Sequence, residues 1–176
     1  MRLHPQPIFL RTAFFRYFLI FILVLGANNG KAQTMVISGS DWTVNIPPIT
    51  EAGTNYAGTY ESQASQIQLT IGVPLLLGTG KISVRYVPNP TWNNALSLAA
   101  KRTDDGTTLC VLCSITGGKD NYVPLTQTDI ELFRITAVLA LAAYNNIGIQ
   151  LRLSGVSVTV PAANYQARVI FTVGPP

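Results

Sequence analysis

The sequence predicts an all-β fold, an antiparallel β-sandwich of about 7–9 strands. Two observations carry this reading. Apolar residues recur at alternate positions through much of residues 66–172. That is the period of a strand with one face buried and one face wet. Turn-forming clusters punctuate these runs at roughly 8–12-residue intervals. Nothing repeats at a longer fixed period, which argues against a solenoid or propeller.

The first 32 residues stand apart and read as a cleavable secretory signal helix. Arg2, Arg11 and Arg16 make a basic start, and Tyr17 to Gly26 is an apolar run. Gly30-Lys31-Ala32 puts small residues at the positions expected before a cut after Ala32. The apolar run is shorter than the about 20 residues needed to cross a bilayer core. No stable membrane span is therefore expected after cleavage. The expected location is the periplasm, the cell surface or the medium.

Cleavage changes the composition. Removing 32 of the 176 residues leaves 144, enough for a single domain at 33–176. Arg2, Arg11, Arg16, Lys31 and His4 leave with the signal, so 8 basic residues face 8 acidic ones and no histidine remains. The basic net charge of the whole chain belongs to the removed segment, and no nucleic-acid partner is expected. Without an imidazole, Ser-His-Asp and Cys-His catalysis and histidine-based zinc sites are excluded within one chain. The expectation is a protein with no enzymatic activity, cofactor or metal.

The elements follow in chain order. Trp42-Thr43-Val44-Asn45-Ile46 alternates, with Trp42, Val44 and Ile46 on one side, and Pro47-Pro48 ends it. Gln66 to Ile71 alternates next. Lys81 to Val87 sets Ile82, Val84 and Tyr86 against Lys81, Ser83 and Arg85, between Gly78-Thr79-Gly80 and Pro88-Asn89-Pro90. Asp105-Gly106 predicts a tight hairpin between Leu96–Arg102 and Thr107–Ile115, before Gly117-Gly118. Asp129 to Ala143 is ambiguous, because its Ala and Leu residues favour helix and Thr128 or Asp129 could cap one. Its neighbours and the Asn145-Asn146 turn signal favour a strand over Glu131–Thr136 followed by an apolar crossover. Ile149, Leu151 and Leu153 form one further strand, and Val156, Val158 and Val160 another. After a Pro161–Asn164 turn, Tyr165, Ala167, Val169 and Phe171 form the last.

Few side chains carry chemistry. Cys110 and Cys113 have redox-motif spacing but no helix behind them to lower a thiol pKa. Cα atoms three apart in a strand lie about 10 Å apart, and a disulfide tolerates about 7 Å. The pair is either a disulfide closing a bulge or turn, or two thiols on opposite faces of a buried strand. Export favours the disulfide, whose stabilising effect would be local. Asp104, Asp105, Asp120 and Asn121 offer oxygen ligands without calcium-loop spacing and read better as turn residues. Trp42, Tyr56, Tyr60, Trp92 and Tyr122 lie in polar, loop-like sequence. Trp92 and Tyr122 are the candidates for stacking on a glycan or other ligand, while Trp42 and Trp92 read equally as caps on the core ends.

The segment Gly148 to Val158, the Pro161–Asn164 turn and the strand Tyr165-Gln166-Ala167-Arg168-Val169 resemble the final hairpin of secreted bacterial pilin-like and spore-coat-U-like domains. The resemblance covers about 30 residues. It implies an immunoglobulin-like sandwich in a surface or fimbrial assembly, with no catalytic residues to carry over. Such domains can assemble by accepting a neighbour's strand at an open edge. Trp42, Val44 and Ile46 are the candidate donor strand, unless the segment is simply the first strand of its own domain. The expected partners are further copies or other surface subunits, and glycans on the alternative reading.

Overall fold

The computed structural model describes residues 33–73, 79–137 and 142–175. The signal segment and the apolar crossover at 138–141 lie outside the described residues. Within them the chain is all-β, and no helix is long and apolar enough to cross a membrane.

The strands are β1 (Thr34–Gly39), β2 (Thr59–Glu61), β3 (Ile67–Val73), β4 (Thr79–Pro88) and β5 (Ser97–Arg102). They continue as β6 (Cys113–Thr116), β7 (Val123–Pro124), β8 (Ile130–Ala137), β9 (Ala142–Ser154) and β10 (Ala167–Gly174). One sheet runs β1-β3-β9-β5-β7, with β2 also paired to β9. The other runs β10-β4-β8-β6. Every pairing is antiparallel.

The alternation places the core. β3 turns Leu69, Ile71 and Val73 inward, and β9 turns Ile147 and Ile149. From the other sheet come Ile82 and Val84 of β4, and Phe133 and Ile135 of β8. These nine side chains are the largest fully buried ones among the described residues. Each contributes about 1.5–3 kcal/mol through removal from water. The core joins the two sheets into a sandwich.

Five local expectations need correction. Asp105-Gly106 does not turn a hairpin, because β5 and β6 lie in different sheets. The Asp104 carboxylate accepts hydrogen bonds from Gly106 N and from Gly148 N of β9, both 2.9 Å. These bonds hold the chain against β9 while it leaves the sheet. Of the expected strand Thr107–Ile115, only Cys113–Ile115 is in a strand, as part of β6.

Asn145-Asn146 is an irregularity inside β9 rather than a turn. The register passes from Leu69↔Ile147 to Ile71↔Tyr144. Asn146 takes the left-handed conformation (φ 57°), and its N–H donates to Thr70 Oγ1 over 3.3 Å. The extra length resets the phase, so Tyr144 and Ile147 are both buried.

Val156 to Val160 is not a strand. Gly155 turns the chain at φ 86°, Val156 N–H bonds Gly58 O at 3.2 Å, and Val160 N–H closes a turn on Ser157 O at 3.0 Å. The last two strands consequently form no hairpin: β9 and β10 belong to different sheets. Residues 130–137 form strand β8. Its register also shifts, between Ile82↔Phe133 and Ser83↔Glu131, so adjacent Leu132 and Phe133 are both buried.

Candidate interaction surfaces

Register places the two ends. At one end lie the C-termini of β1, β4 and β9 and the N-termini of β3, β5 and β10, as Gly39↔Ile67, Ser97↔Ser154 and Ala167↔Pro88 show. The C-terminus of β5 and the N-terminal half of β9 point to the other end.

At the first end the chain leaves β1 at Gly39, whose φ of 122° suits glycine. A Cβ there would stand 2.3 Å from Gln66 O. Residues 40–50 then follow outside any strand, so Trp42–Ile46 is not the first strand of the domain; β1 takes that place. Gln66 Nε2 donates to Ser40 O at 2.9 Å and to Ser40 Oγ at 3.1 Å. Beyond Asp41, no backbone–backbone hydrogen bond ties residues 42–48 to the other described residues. The strap is held by packing: Trp42 and Val44 rest on the core, while Ile46 is exposed. Beside it opens a cavity of about 1120 Å³. Leu96, Leu98, Leu151, Leu153 and Val156 line its inner wall, and the 161–169 segment lines its mouth.

Trp92 lines the same cavity and packs on the core, its ring 5.9 Å from that of Tyr86. Asn89 N–H to Gln166 O (3.0 Å) and Thr91 Oγ1 to Asn164 O (3.1 Å) tie the two loops at the mouth. Tyr56 and Tyr60 are partly buried against the core.

The other end is organised by a buried cation. Arg102 follows Leu98 and Ala100 along the inward face of β5 and is only 3% exposed. Its Nε and Nη2 donate to Gly117 O at 3.2 and 3.1 Å, and Nη1 donates to Asp104 O at 3.1 Å. Nη1 also pairs with the Asp105 carboxylate, and the guanidinium lies 5.7 Å from the Phe133 ring centre. Burial lowers the Arg102 pKa, and the negative charges of Asp104 and Asp120 oppose that shift. Asp104 and Asp105 thus serve backbone and arginine here, and no metal-ligating cluster forms among the described residues.

Beyond this clamp the loop projects. Cys110 and Cys113 are joined by a disulfide, with Cα atoms 5.4 Å apart. The isolated bridge Thr107↔Asn145 anchors one side of the loop, and β6 anchors the other. At the tip, Leu109 is 101% exposed, Val111 94% and Leu112 64%. The sequence predicts a strand over Thr107–Ile115 and, for the cysteines, either a disulfide closing a bulge or turn or two thiols on a buried strand; the disulfide is the one that forms.

Tyr122 sits away from both ends, beside β7. The Arg152 guanidinium lies 4.1 Å from its ring centre and the Lys101 ammonium 4.6 Å. The hydroxyl is buried and makes no hydrogen bond of normal geometry among the described residues. Burial first, then Glu61, pushes its pKa up to about 12, against the opposite pull of Arg152. Trp92 and Tyr122 are therefore not brought together. Comparison with known protein families, with curated proteins and with solved structures finds no match for this chain.

Proposed function

We propose that the chain is an exported structural or adhesive protein of the bacterial surface, without enzymatic activity. On this reading the domain is an immunoglobulin-like, pilin-like sandwich that assembles with further copies by strand addition. The observation that carries the reading is the strap beside an open edge. Trp42, Val44 and Ile46 lie in a segment whose backbone has no ladder to lose on leaving. The preceding strand β1 is a sheet edge without charge or proline, with Val36 63% and Ile37 50% exposed. Such an edge is a template for pairing with another chain.

Deletion of residues 42–48, which keeps the β1 edge in place, is expected to abolish polymers of the mature protein and leave a soluble fold. Persistence of polymers in the deleted protein would rule out this donor.

A second reading, a glycan- or ligand-binding module, draws support from Trp92 at the wall of the cavity. Glycan binding by a monomer, lost in Trp92→Ala, would favour it. Tyr122 is a weaker candidate, because a ligand stacking on it has to compete with Lys101 and Arg152.

A further inference from the structure

We infer that the disulfide-stapled tip of one copy seats in the open end of the next, joining copies head to tail. This rests on the self-assembly reading above but names a different contact from strand addition.

The tip is a knob. Leu109, Val111 and Leu112 stand in water beside one another, where they contribute nothing to the core. Neighbouring exposed apolar side chains of this kind mark interaction sites. The segment Thr107–Thr116 carries no charge. The disulfide and the Arg102 clamp fix the loop before it binds, so seating it costs little ordering entropy.

The socket lies on the same chain. Its cavity of about 1120 Å³ exceeds the roughly 300–1,000 Å³ of small-ligand pockets. It therefore offers room for a loop tip beside the exposed Ile46, Pro47 and Pro48 of the strap and Pro161 to Ala163 of the facing loop, over buried leucine and valine side chains. Two strands set knob and socket at opposite ends. β5 runs from Leu98 in the socket wall to Arg102 under the knob. β9 runs back from Asn145, bridged to Thr107, to Leu153 in the socket wall. A contact between opposite ends of identical copies leaves a free knob and a free socket, so it propagates as a filament.

The collar argues for a protein over an anionic lipid surface as the occupant. Arg102 and Lys119 are outnumbered there by Asp104, Asp105 and Asp120, a balance that anionic headgroups repel.

Sedimentation velocity on the mature protein, residues 33–176, tests the contact. Val111→Asp damages the knob, and Ala163→Arg, at an exposed residue lining the socket, damages the mouth. Wild type is expected to form concentration-dependent oligomers. Each variant is expected to need at least about tenfold more protein to do so, the cost of burying a charge against apolar groups. Mixed in equal amounts, the variants should regain association near the wild-type concentration, because each supplies the part the other lacks. Thermal unfolding at the wild-type midpoint would show that both remain folded.

Oligomers of Val111→Asp as robust as wild type would overturn the contact and leave self-assembly standing. A mixture that stays monomeric would overturn the head-to-tail geometry. A wild type that stays monomeric at every concentration would overturn both. Cosedimentation of that monomer with lipid vesicles, lost in Val111→Asp, would assign the knob to a membrane instead.

Discussion

The two ends of this sandwich are closed by opposite kinds of chemistry. Around the projecting loop the closure is polar: Arg102 reaches Gly117 O, Asp104 O and Asp105, and Asp104 reaches Gly106 and Gly148. At the strap the closure is mostly apolar: Trp42 and Val44 lie on the core without backbone–backbone hydrogen bonds. Hydrogen bonds are directional and costly to leave unmade when buried. Apolar contact is non-directional and can be replaced by another apolar surface. The first end is therefore suited to hold a loop in one shape, and the second to exchange what covers it.

The sharpest way to break the contrast is to remove the cation. Arg102→Ala leaves the Gly117 carbonyl without its two side-chain donors and opens space above Phe133. The expected loss is about 2–4 kcal/mol, seen as a lower denaturation midpoint with an unchanged slope. A loss within 0.5 kcal/mol, the range of ordinary surface changes, would show that the clamp is not needed.

At the other end the equivalent point is Gly39. A side chain there meets Gln66 O and must adopt a left-handed backbone. Gly39→Ala is expected to cost about 1–3 kcal/mol. Amide exchange should quicken along β1 and β3 while Gly106 and Gly148 keep their protection.

Replacing both cysteines by serine should cost less than losing Arg102. The closed loop is short, and the chain-entropy relation gives about 1–2 kcal/mol. Chemical denaturation of the double variant beside Arg102→Ala measures the order, and the reverse order would make the disulfide the main anchor.

The smallest effect concerns Tyr122, which belongs to neither end. Its folded pKa is raised from 10.0 to about 12. The folded state then holds the phenolic proton more tightly than the unfolded state. The contribution is complete below pH 10 and is lost as pH rises through about 12. Tyr122→Phe should remove that slope between pH 10 and 12 without altering stability differences between the ends. An identical alkaline slope in the variant would contradict the assignment.

The core was legible because alternation reports burial directly: Leu69, Ile71, Ile82, Val84 and Ile149 all fall on the inward phase. Connections were less legible. The same Asp105-Gly106 pair that closes a hairpin elsewhere here serves a crossing between sheets, because Asp104 bonds to β9, far along the chain. Asn145-Asn146 carries turn chemistry but is spent on one left-handed residue within a strand. Val156 to Val160 alternates like a strand, yet Gly155 and the Ser157–Val160 turn take it off the sheet. Of the interaction surfaces, the strap stood out by its apolar alternation and Pro47-Pro48. Arg102 could have been found as a charge on the inward phase of Leu98 and Ala100. The exposed tip could not, because Leu109, Val111 and Leu112 have the composition of a buried strand.

Cross-linking from the knob tests the central claim most directly. Val111 is replaced by a photoreactive phenylalanine analogue in residues 33–176, and linked peptides are identified by mass spectrometry. Isotope labelling of half the copies marks links between different molecules. The account predicts links between copies, running from position 111 to the socket residues around Leu98, Leu153 and Tyr165–Val169. Links confined to the tip of another copy, or none between copies under conditions where oligomers form, would contradict it.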